Sequence, residues 1–217
     1  MIEDQTARAK EIIKRLKKLY PEPIVELDYT TPFELMVASL LAAQNRDTNI
    51  NKITPALFRK YRGPADYVSV EPAELEQDIL KSGFFRQKTK AIRALSQKLL
   101  DDFDGKVPET MDELLTLPGI GRKTANVILS FAMEKAEGIV VDTHHIRLME
   151  RIGFSKQKTA DKIEKDMLAI VPKKDWIMWS SSITLHGRRV CVAQKPKCSA
   201  CVLNDICPSA FKLPKWV

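Results

Sequence analysis

The stretch LPGIGRKTANVIL, residues 117–129, constrains the fold more than any other part of the chain. Gly119 and Gly121 separate a short leucine-containing helix from a second helix whose apolar residues recur at helical spacing. Two glycines permit a turn too tight for larger residues, and the first N–H groups of a helix have no intrahelical acceptor. Such donors, aided by the helix dipole, bind anions. The stretch therefore predicts a phosphate-binding hairpin with unpaired N–H groups at Gly119, Ile120 and Gly121.

Lys123 occupies an unusual place in this hairpin. A cation in the first turn of a helix faces the positive end of the dipole, which disfavours it by about 0.3–1 kcal/mol. Either the side chain is exposed and the effect is small, or the charge there has a function. From position alone, an exposed lysine that contacts phosphate is the better interpretation.

Helical patterns dominate the rest of the chain. Thr31 and Glu34 form a capping box at the start of an apolar and therefore buried helix, and Thr110 and Glu113 form a second capping box. Further helices are predicted at 48–61, 72–81, 86–102, 110–116, 122–133, 143–151, 158–170 and 174–186. Strand-like alternation is nearly absent, and its best case, GIVVD at 138–142, is too short to build a sheet. The chain is predicted to be all-α.

Composition and charge narrow the function classes. Hydrophobic residues make up 44% of the chain and charged residues 29%, which excludes wholesale disorder. No apolar run is long enough to span a membrane, and no signal-peptide pattern opens the chain, so an intracellular protein is expected. The net charge is +7, and residues 173–217 hold eight Lys or Arg against two Asp. Such localised charge fits a binder of phosphate backbones or a solvated basic tail.

All four cysteines lie within residues 191–207. Two disulfides would suit a secreted protein, but intracellular thiols stay reduced, so metal binding is the leading interpretation. Zinc sites usually pair two short Cys-x2-4-Cys units, whereas the gaps here are six, two and five residues. This uneven spacing favours a [4Fe–4S] cluster over zinc. The predicted ligands are Cys191, Cys198, Cys201 and Cys207.

Basic residues surround this cysteine cluster. Lys195 and Lys197 lie inside its first gap, and Arg188 and Arg189 lie just upstream. A loop pinned by a metal can present such charges to phosphate at small ordering cost. The alternative is that the cluster only anchors the C-terminal segment.

Three motifs together resemble one family. LPGIGRKTANVIL, with a capped helix before it, matches the helix-hairpin-helix motif that binds DNA backbones, and VDTHHIRLMERIGF and Cys-x6-Cys-x2-Cys-x5-Cys follow it. In this order they resemble endonuclease III, in the helix-hairpin-helix superfamily of base-excision DNA glycosylases. The resemblance implies a six-helix domain at 25–135, with the hairpin at about 110–132. It also implies a cluster domain formed by 1–24 and 136–217, with DNA in the cleft between the two domains.

The resemblance also implies catalytic roles for Lys123 and Asp142. The matching lysine of the family attacks C1′ of the damaged nucleotide, which requires a neutral amine. The helix N-terminus, the neighbouring Arg122 and partial burial are each expected to disfavour the ammonium form. Asp142 would stabilise positive charge on the sugar or accept a proton from Lys123, and it would also serve as an N-cap. An ion pair between the two residues would oppose the effect of the helix end.

Further DNA contacts are implied in two weaker segments, AAQNRDTNINK and SGFFRQKTKAI. Gln44 would fill the gap left by an extruded nucleotide and Phe84 would wedge against the opposite strand, whereas the alternatives are a capping glutamine and a core phenylalanine. Asn45 and Arg46 replace the small uncharged residues of the commoner family form. His144 and His145 are expected to be structural. Contacts to DNA are expected at Gly119, Ile120, Gly121, Arg122, Arg188, Lys195 and Lys197.

These implications define the expected function. The chain is predicted to be a monomeric glycosylase and abasic-site lyase that removes oxidised pyrimidines from damaged double-stranded DNA. Its expected location is the cytoplasm of a prokaryote, in association with the nucleoid and not with a membrane. The alternatives are a monofunctional mismatch glycosylase, against which Lys123 argues, and a non-catalytic DNA-binding module.

Overall fold

The computed structural model describes residues 2–212, which fold into helices without any β-strand. The all-α prediction is thereby confirmed. No helix in this part of the chain is long and apolar enough to cross a membrane. The helices are α1 (Ile2–Leu19), α2 (Pro32–Ala42), α3 (Asp47–Ile50), α4 (Thr54–Lys60), α5 (Pro64–Ser69), α6 (Pro72–Asp78), α7 (Phe85–Phe103), α8 (Met111–Leu115), α9 (Arg122–Ala132), α10 (Thr143–Ile152), α11 (Ala160–Ile170) and α12 (Trp176–Arg189).

The helices divide between two compact units. One, the hairpin unit, is Val25–Lys135, and the other, the cluster unit, runs up to Ile24 and resumes at Ala136. The hairpin unit contains eight helices, α2 to α9, rather than six. Prolines account for the larger number, because each of α4, α5 and α6 has a proline at its first or second position. Proline starts a helix readily but interrupts the one before it.

The hairpin unit is built around α2. The predicted capping box is present, with the Thr31 hydroxyl accepting from the Glu34 N–H and the Glu34 carboxylate accepting from the Thr31 N–H. Most of the helix is buried, in keeping with its apolar sequence. Its neighbours are α7 and α9. This packing places the helix that carries Lys123 against the central helix of the unit.

The cluster unit packs α12 against α1 and α10. Trp179 of α12 is fully buried in its core, with its ring edge-on to that of Phe154. The GIVVD segment has no regular secondary structure and is not part of a sheet. The Ile139 N–H donates to the Glu164 carboxylate at 3.3 Å, and the Val140 N–H donates to the Ser180 hydroxyl at 3.0 Å. Side-chain oxygens thus accept from N–H groups that would pair with a neighbouring strand in a sheet.

Candidate active site

The hairpin connects α8 and α9 and requires glycine at only one of its two positions. Gly119 has a φ of 79°, and a Cβ there would lie 2.9 Å from Cδ2 of Leu40, so no other residue fits without strain. Gly121 has an extended φ of −97°, and nothing lies within 4 Å of where its Cβ would be. Gly119 therefore shapes the turn, whereas Gly121 leaves open space in front of the first turn of α9.

The N–H groups of this turn are not all available, which corrects one expectation. The Ile120 N–H donates to the Leu117 carbonyl at 3.1 Å, and the Ile120 side chain is buried. Ile120 therefore anchors the hairpin and offers no free donor to a ligand. The N–H groups of Gly119 and Gly121 have no acceptor within the hairpin unit. The anion site predicted from the sequence is thus reduced to these two groups and the first turn of α9.

Lys123 lies in the first turn of α9 and its side chain is exposed. Within the hairpin unit it makes no hydrogen bond or ion pair. The partial burial expected of Lys123 is not found. The buried face of the helix begins two residues later, at Ala125. The amine is therefore accessible to a ligand and uncommitted to any neighbour within its unit.

Gln44 and Phe84 also project from the hairpin unit. Both have left-handed backbones, with φ of 56° and 49°, a conformation that costs a residue other than glycine on the order of 1–3 kcal/mol. Phe84 is 58% exposed, so it is not a core residue. Gln44 is exposed, and its side chain caps no helix. The structure thus excludes the two alternatives considered for these side chains.

Asp142 is the N-cap of α10 in the cluster unit, as the sequence predicts. One of its oxygens, Oδ1, accepts the N–H of His145 at 2.9 Å and lies 3.3 Å from Nδ1 of the same residue. The other oxygen, Oδ2, accepts from the Thr184 hydroxyl at 3.3 Å. Burial acts to raise the pKa of Asp142, but the hydrogen bonds and charge of His145 outweigh it and hold that pKa well below its ordinary value. Asp142 is therefore an ionised, oriented carboxylate.

His145 was not expected to contact a candidate catalytic residue. It is fully buried, and its Nε2 atom has no hydrogen-bond partner among the described residues. The only sequence signal is its position three residues after the N-cap, where a backbone N–H regularly meets the capping oxygen. His144 has the structural role expected of it, because it packs where a Cβ on Gly187 would lie only 2.7 Å from its own Cβ.

The four cysteines of the cluster unit line one cavity, and each is half-buried. N–H donors approach two of the sulfur atoms: Arg151 lies 3.4 Å from Sγ of Cys191, and the Leu203 N–H lies 3.4 Å from Sγ of Cys201. His186 Nε2 lies 3.2 Å from the latter sulfur. Donors of this kind stabilise thiolates that bind iron. The donor set therefore fits a metal cluster.

The cavity is compatible with the cluster that the sequence predicts. Four cysteine side chains lie around it, which is the number of ligands that a [4Fe–4S] cluster takes. Among residues 4–212, no three His, Cys, Asp or Glu side chains are placed to hold a single metal ion. The basic loop residues Lys195 and Lys197 are exposed, and Arg188 is half-buried.

Comparison with known proteins first defines a class. Residues 37–173 match the HhH-GPD superfamily of base excision DNA repair proteins, and residues 191–207 match the iron-sulfur binding domain of endonuclease III. The protein called endonuclease III in Synechocystis sp. is 47% identical over 94% of this chain and 93% of its own. The endonuclease III of Bacillus subtilis is 40% identical over 94% of this chain and 93% of its own. The chain therefore belongs to the endonuclease III family.

Solved structures agree with this assignment. One described as a non-covalent endonuclease III–DNA complex superposes with a TM-score of 0.90 at 39% identity, covering 95% of this chain and 97% of its own. A trapped endonuclease III–DNA covalent intermediate gives 0.89 at the same identity and coverage. A thermostable thymine-DNA glycosylase, 20% identical with a TM-score of 0.86, shares the fold. These matches confirm the resemblance inferred from the three motifs.

Proposed function

We propose that Lys123 and Asp142 carry out the chemistry of this base-excision DNA glycosylase and abasic-site lyase, and that its substrates are oxidised pyrimidines in duplex DNA. Membership of the endonuclease III family supports the two activities, and a relative has been trapped covalently on DNA. The observation that carries the proposal is the exposed Lys123, beside the glycine hairpin and without a partner in its unit. An amine in this state can reach an extruded nucleotide.

Lys123 acts as the nucleophile. Its neutral amine forms a bond to C1′ of the nucleotide as the bond from C1′ to the base breaks, and the base leaves with a proton. Opening of the sugar ring converts this adduct into a protonated imine, a Schiff base. Loss of a C2′ proton then expels the 3′ phosphate by β-elimination, which cuts the strand 3′ to the lesion. Hydrolysis of the imine releases Lys123.

Asp142 supports this chemistry as a fixed negative charge. Its depressed pKa keeps the carboxylate ionised at neutral pH, and its hydrogen bonds restrict its orientation. An ionised carboxylate stabilises the positive charge that develops on the sugar, and it can also accept a proton from the amine.

DNA binding divides between phosphate contacts and gap filling. Gly119, Gly121 and the first turn of α9 offer N–H groups to phosphate. Gln44 fills the gap left by the extruded nucleotide, and Phe84 wedges against the opposite strand, since base flipping costs a few kcal/mol of stacking. The remaining phosphate contacts come from Arg122, Arg188, Lys195 and Lys197.

Cys191, Cys198, Cys201 and Cys207 would hold the [4Fe–4S] cluster, which supplies a rigid anchor for the loop that carries Lys195 and Lys197. Arg147 and Arg151 of α10 form hydrogen bonds to the main chain at the start of this loop. Arg147 donates to the Cys191 carbonyl at 3.1 Å, and Arg151 donates to the Val192 and Ala193 carbonyls at 2.8 Å. The same helix has Asp142 at its N-cap, so one element positions both the aspartate and the loop.

The protein is proposed to act as a monomer on damaged or abasic double-stranded DNA, in the cytoplasm of a prokaryote and in association with the nucleoid. The bacterial origin of its relatives supports this location. Four cysteines devoted to a metal site also suit a reducing compartment.

Borohydride reduction in the presence of abasic-site DNA tests the proposal, because it converts a Schiff base into a stable covalent adduct. We expect the wild-type protein to be trapped, Lys123→Ala to give no adduct, and the exposed control Lys90→Ala to be trapped normally. Absence of a wild-type adduct despite DNA binding would instead indicate a non-catalytic module. Base release from a mismatch without strand cleavage would indicate a monofunctional glycosylase.

A further inference from the structure

Lys88 is a buried cation in the first turn of α7 of the hairpin unit. Only 6% of its surface is exposed, and burial lowers its pKa below the ordinary value. Its ammonium group donates to two main-chain carbonyls, those of Leu41 and Ser82, both at 2.7 Å. No carboxylate pairs with it in the described part of the chain. A buried charge without a counter-ion is unfavourable unless hydrogen bonds compensate for the lost hydration, so these two bonds are important to its burial.

The two carbonyls lie just before the two loops, 43–46 and 83–84, that carry the exposed Gln44 and Phe84. Leu41 lies in the last turn of α2, where carbonyls lack intrahelical donors, and Gln44 follows three residues later. Ser82 lies two residues before Phe84. Lys88 therefore joins the segment before Gln44 to the segment before Phe84.

Asn45 makes a second link between the same loops. Its side-chain amide donates to the Ser82 carbonyl at 2.8 Å, so this carbonyl accepts from Asn45 and from Lys88 of α7 at once. Oδ1 of Asn45 accepts from the Arg46 N–H at 2.7 Å and from the Asn49 amide at 3.0 Å. These bonds use both ends of the Asn45 side chain. The departure from the family form at this position thus has a structural role.

The backbone of both loops needs such support. Gln44 and Phe84 are held in left-handed conformations that persist only where the surrounding structure determines them. Neither side chain provides that support itself, since Phe84 is 58% exposed and Gln44 is exposed. The side-chain hydrogen bonds from Lys88 and Asn45 hold the main chain near them, in addition to backbone bonds such as that from the Asn45 N–H to the Ala42 carbonyl.

We propose that Lys88 is a positioning residue that, through the shared Ser82 carbonyl and with Asn45, locks the two loops into one rigid wedge. Gln44 and Phe84 then enter the DNA together, with their spacing set before binding. The inference rests on the proposed function, because it takes these two side chains as the ones that replace the extruded nucleotide. Lys88 itself stays buried and touches no DNA.

The test compares the activity of each variant on two DNA substrates. Lys88→Met keeps the aliphatic stem but removes the ammonium group, and Lys90→Met changes an exposed lysine of the same helix as a control. Cleavage of duplex DNA containing thymine glycol, an oxidised pyrimidine, requires a wedge. Borohydride trapping on single-stranded abasic DNA requires Lys123 but has no opposite strand to wedge. We expect Lys88→Met to lose roughly 10- to 100-fold on the duplex and to keep trapping within about twofold.

A fluorescence measurement reports the wedge directly. With 2-aminopurine opposite the lesion, entry of the wedge unstacks the probe and raises its emission. Lys88→Met is expected to reduce this rise and Lys90→Met to leave it unchanged. Asn45→Ala, a milder change, should act in the same direction. The double variant should lose less than the product of the two single effects, because both side chains bond to the same carbonyl.

The outcomes separate this inference from the proposed function. Unchanged duplex cleavage in Lys88→Met, or an equal loss on both substrates with a lowered melting temperature, would overturn the positioning role. If Gln44→Ala and Phe84→Ala cleave the duplex normally, the proposed wedge roles fail and the inference fails with them. If those two variants lose duplex cleavage but Lys88→Met does not, the inference alone fails. Single-stranded trapping that depends on Lys123 leaves the proposed chemistry intact in each case.

Discussion

The surroundings of Lys123 and Asp142 differ sharply. Lys123 is exposed, has no partner in its unit and lies beside a glycine with open space in front of it. Asp142 is largely enclosed, and three donor groups from two residues approach its carboxylate. The difference suits the roles proposed for the two residues. A nucleophilic amine must move and lose its proton, whereas an electrostatic partner is most effective when it is fixed and charged before the substrate arrives.

The largest effect that tests this comparison is expected from Asp142→Asn. The amide oxygen keeps the N-cap hydrogen bond to the His145 N–H but removes the charge, so we expect cleavage at an abasic site to fall on the order of 10²- to 10⁴-fold. The melting temperature should stay within a few degrees of wild type. A single-turnover assay combined with thermal melting measures both quantities. A large loss of stability with little loss of rate would show that the residue only caps α10.

A smaller and pH-dependent effect is expected from His145→Leu. The backbone N–H bond to Asp142 remains, but the imidazole that helps to lower the pKa of the carboxylate is lost, so that pKa rises. In the proposed mechanism the ionised form of Asp142 is the active one. Activity is therefore retained at high pH and lost as pH falls, and the acidic limb of the rate profile should move up by roughly one pH unit or more.

Thr184→Val provides the matched comparison. It removes one hydroxyl donor to Oδ2 of Asp142 and should move the acidic limb in the same direction by less. Rate profiles of the wild type and the two variants, measured from acidic to neutral pH, test the predicted order of their three acidic limbs. An unchanged acidic limb in His145→Leu would contradict the proposed electrostatic role of this histidine.

The smallest effect is a change in stability, expected from substitutions in the glycine hairpin that precedes Lys123. Gly119→Ala places a methyl group 2.9 Å from Leu40 at a positive φ and should destabilise the protein by about 1–3 kcal/mol. Gly121→Ala meets open space and should leave the free energy of unfolding unchanged within about 0.5 kcal/mol. Denaturant unfolding of both variants checks the difference. Equal destabilisation would show that both glycines shape the hairpin.

Much of the site could be predicted from sequence because its signals are local. The two capping patterns, the glycine hairpin and the cysteine spacing each depend on residues close together in the chain. The Thr110 hydroxyl accepts from the Glu113 N–H, as the capping pattern predicts. The same hydroxyl donates to the Glu113 carboxylate. The number of short helices was harder to predict, because α5 has too few residues to show a helical period.

The sequence by itself determined the all-helical class, and its four closely spaced cysteines predicted the cluster ligands. The candidate nucleophile came from the resemblance of the hairpin motif to one family, because the position of Lys123 alone favoured a phosphate contact. Only the tertiary structure decided which residues support them. His145 lies one helical turn after Asp142, so their contact is local. The contact between Thr184 and Asp142 instead joins α12 to α10 across 42 residues of chain. Lys88 reaches Leu41 across 47 residues of chain. Contacts between distant segments depend on how the helices pack, and no local pattern records that packing.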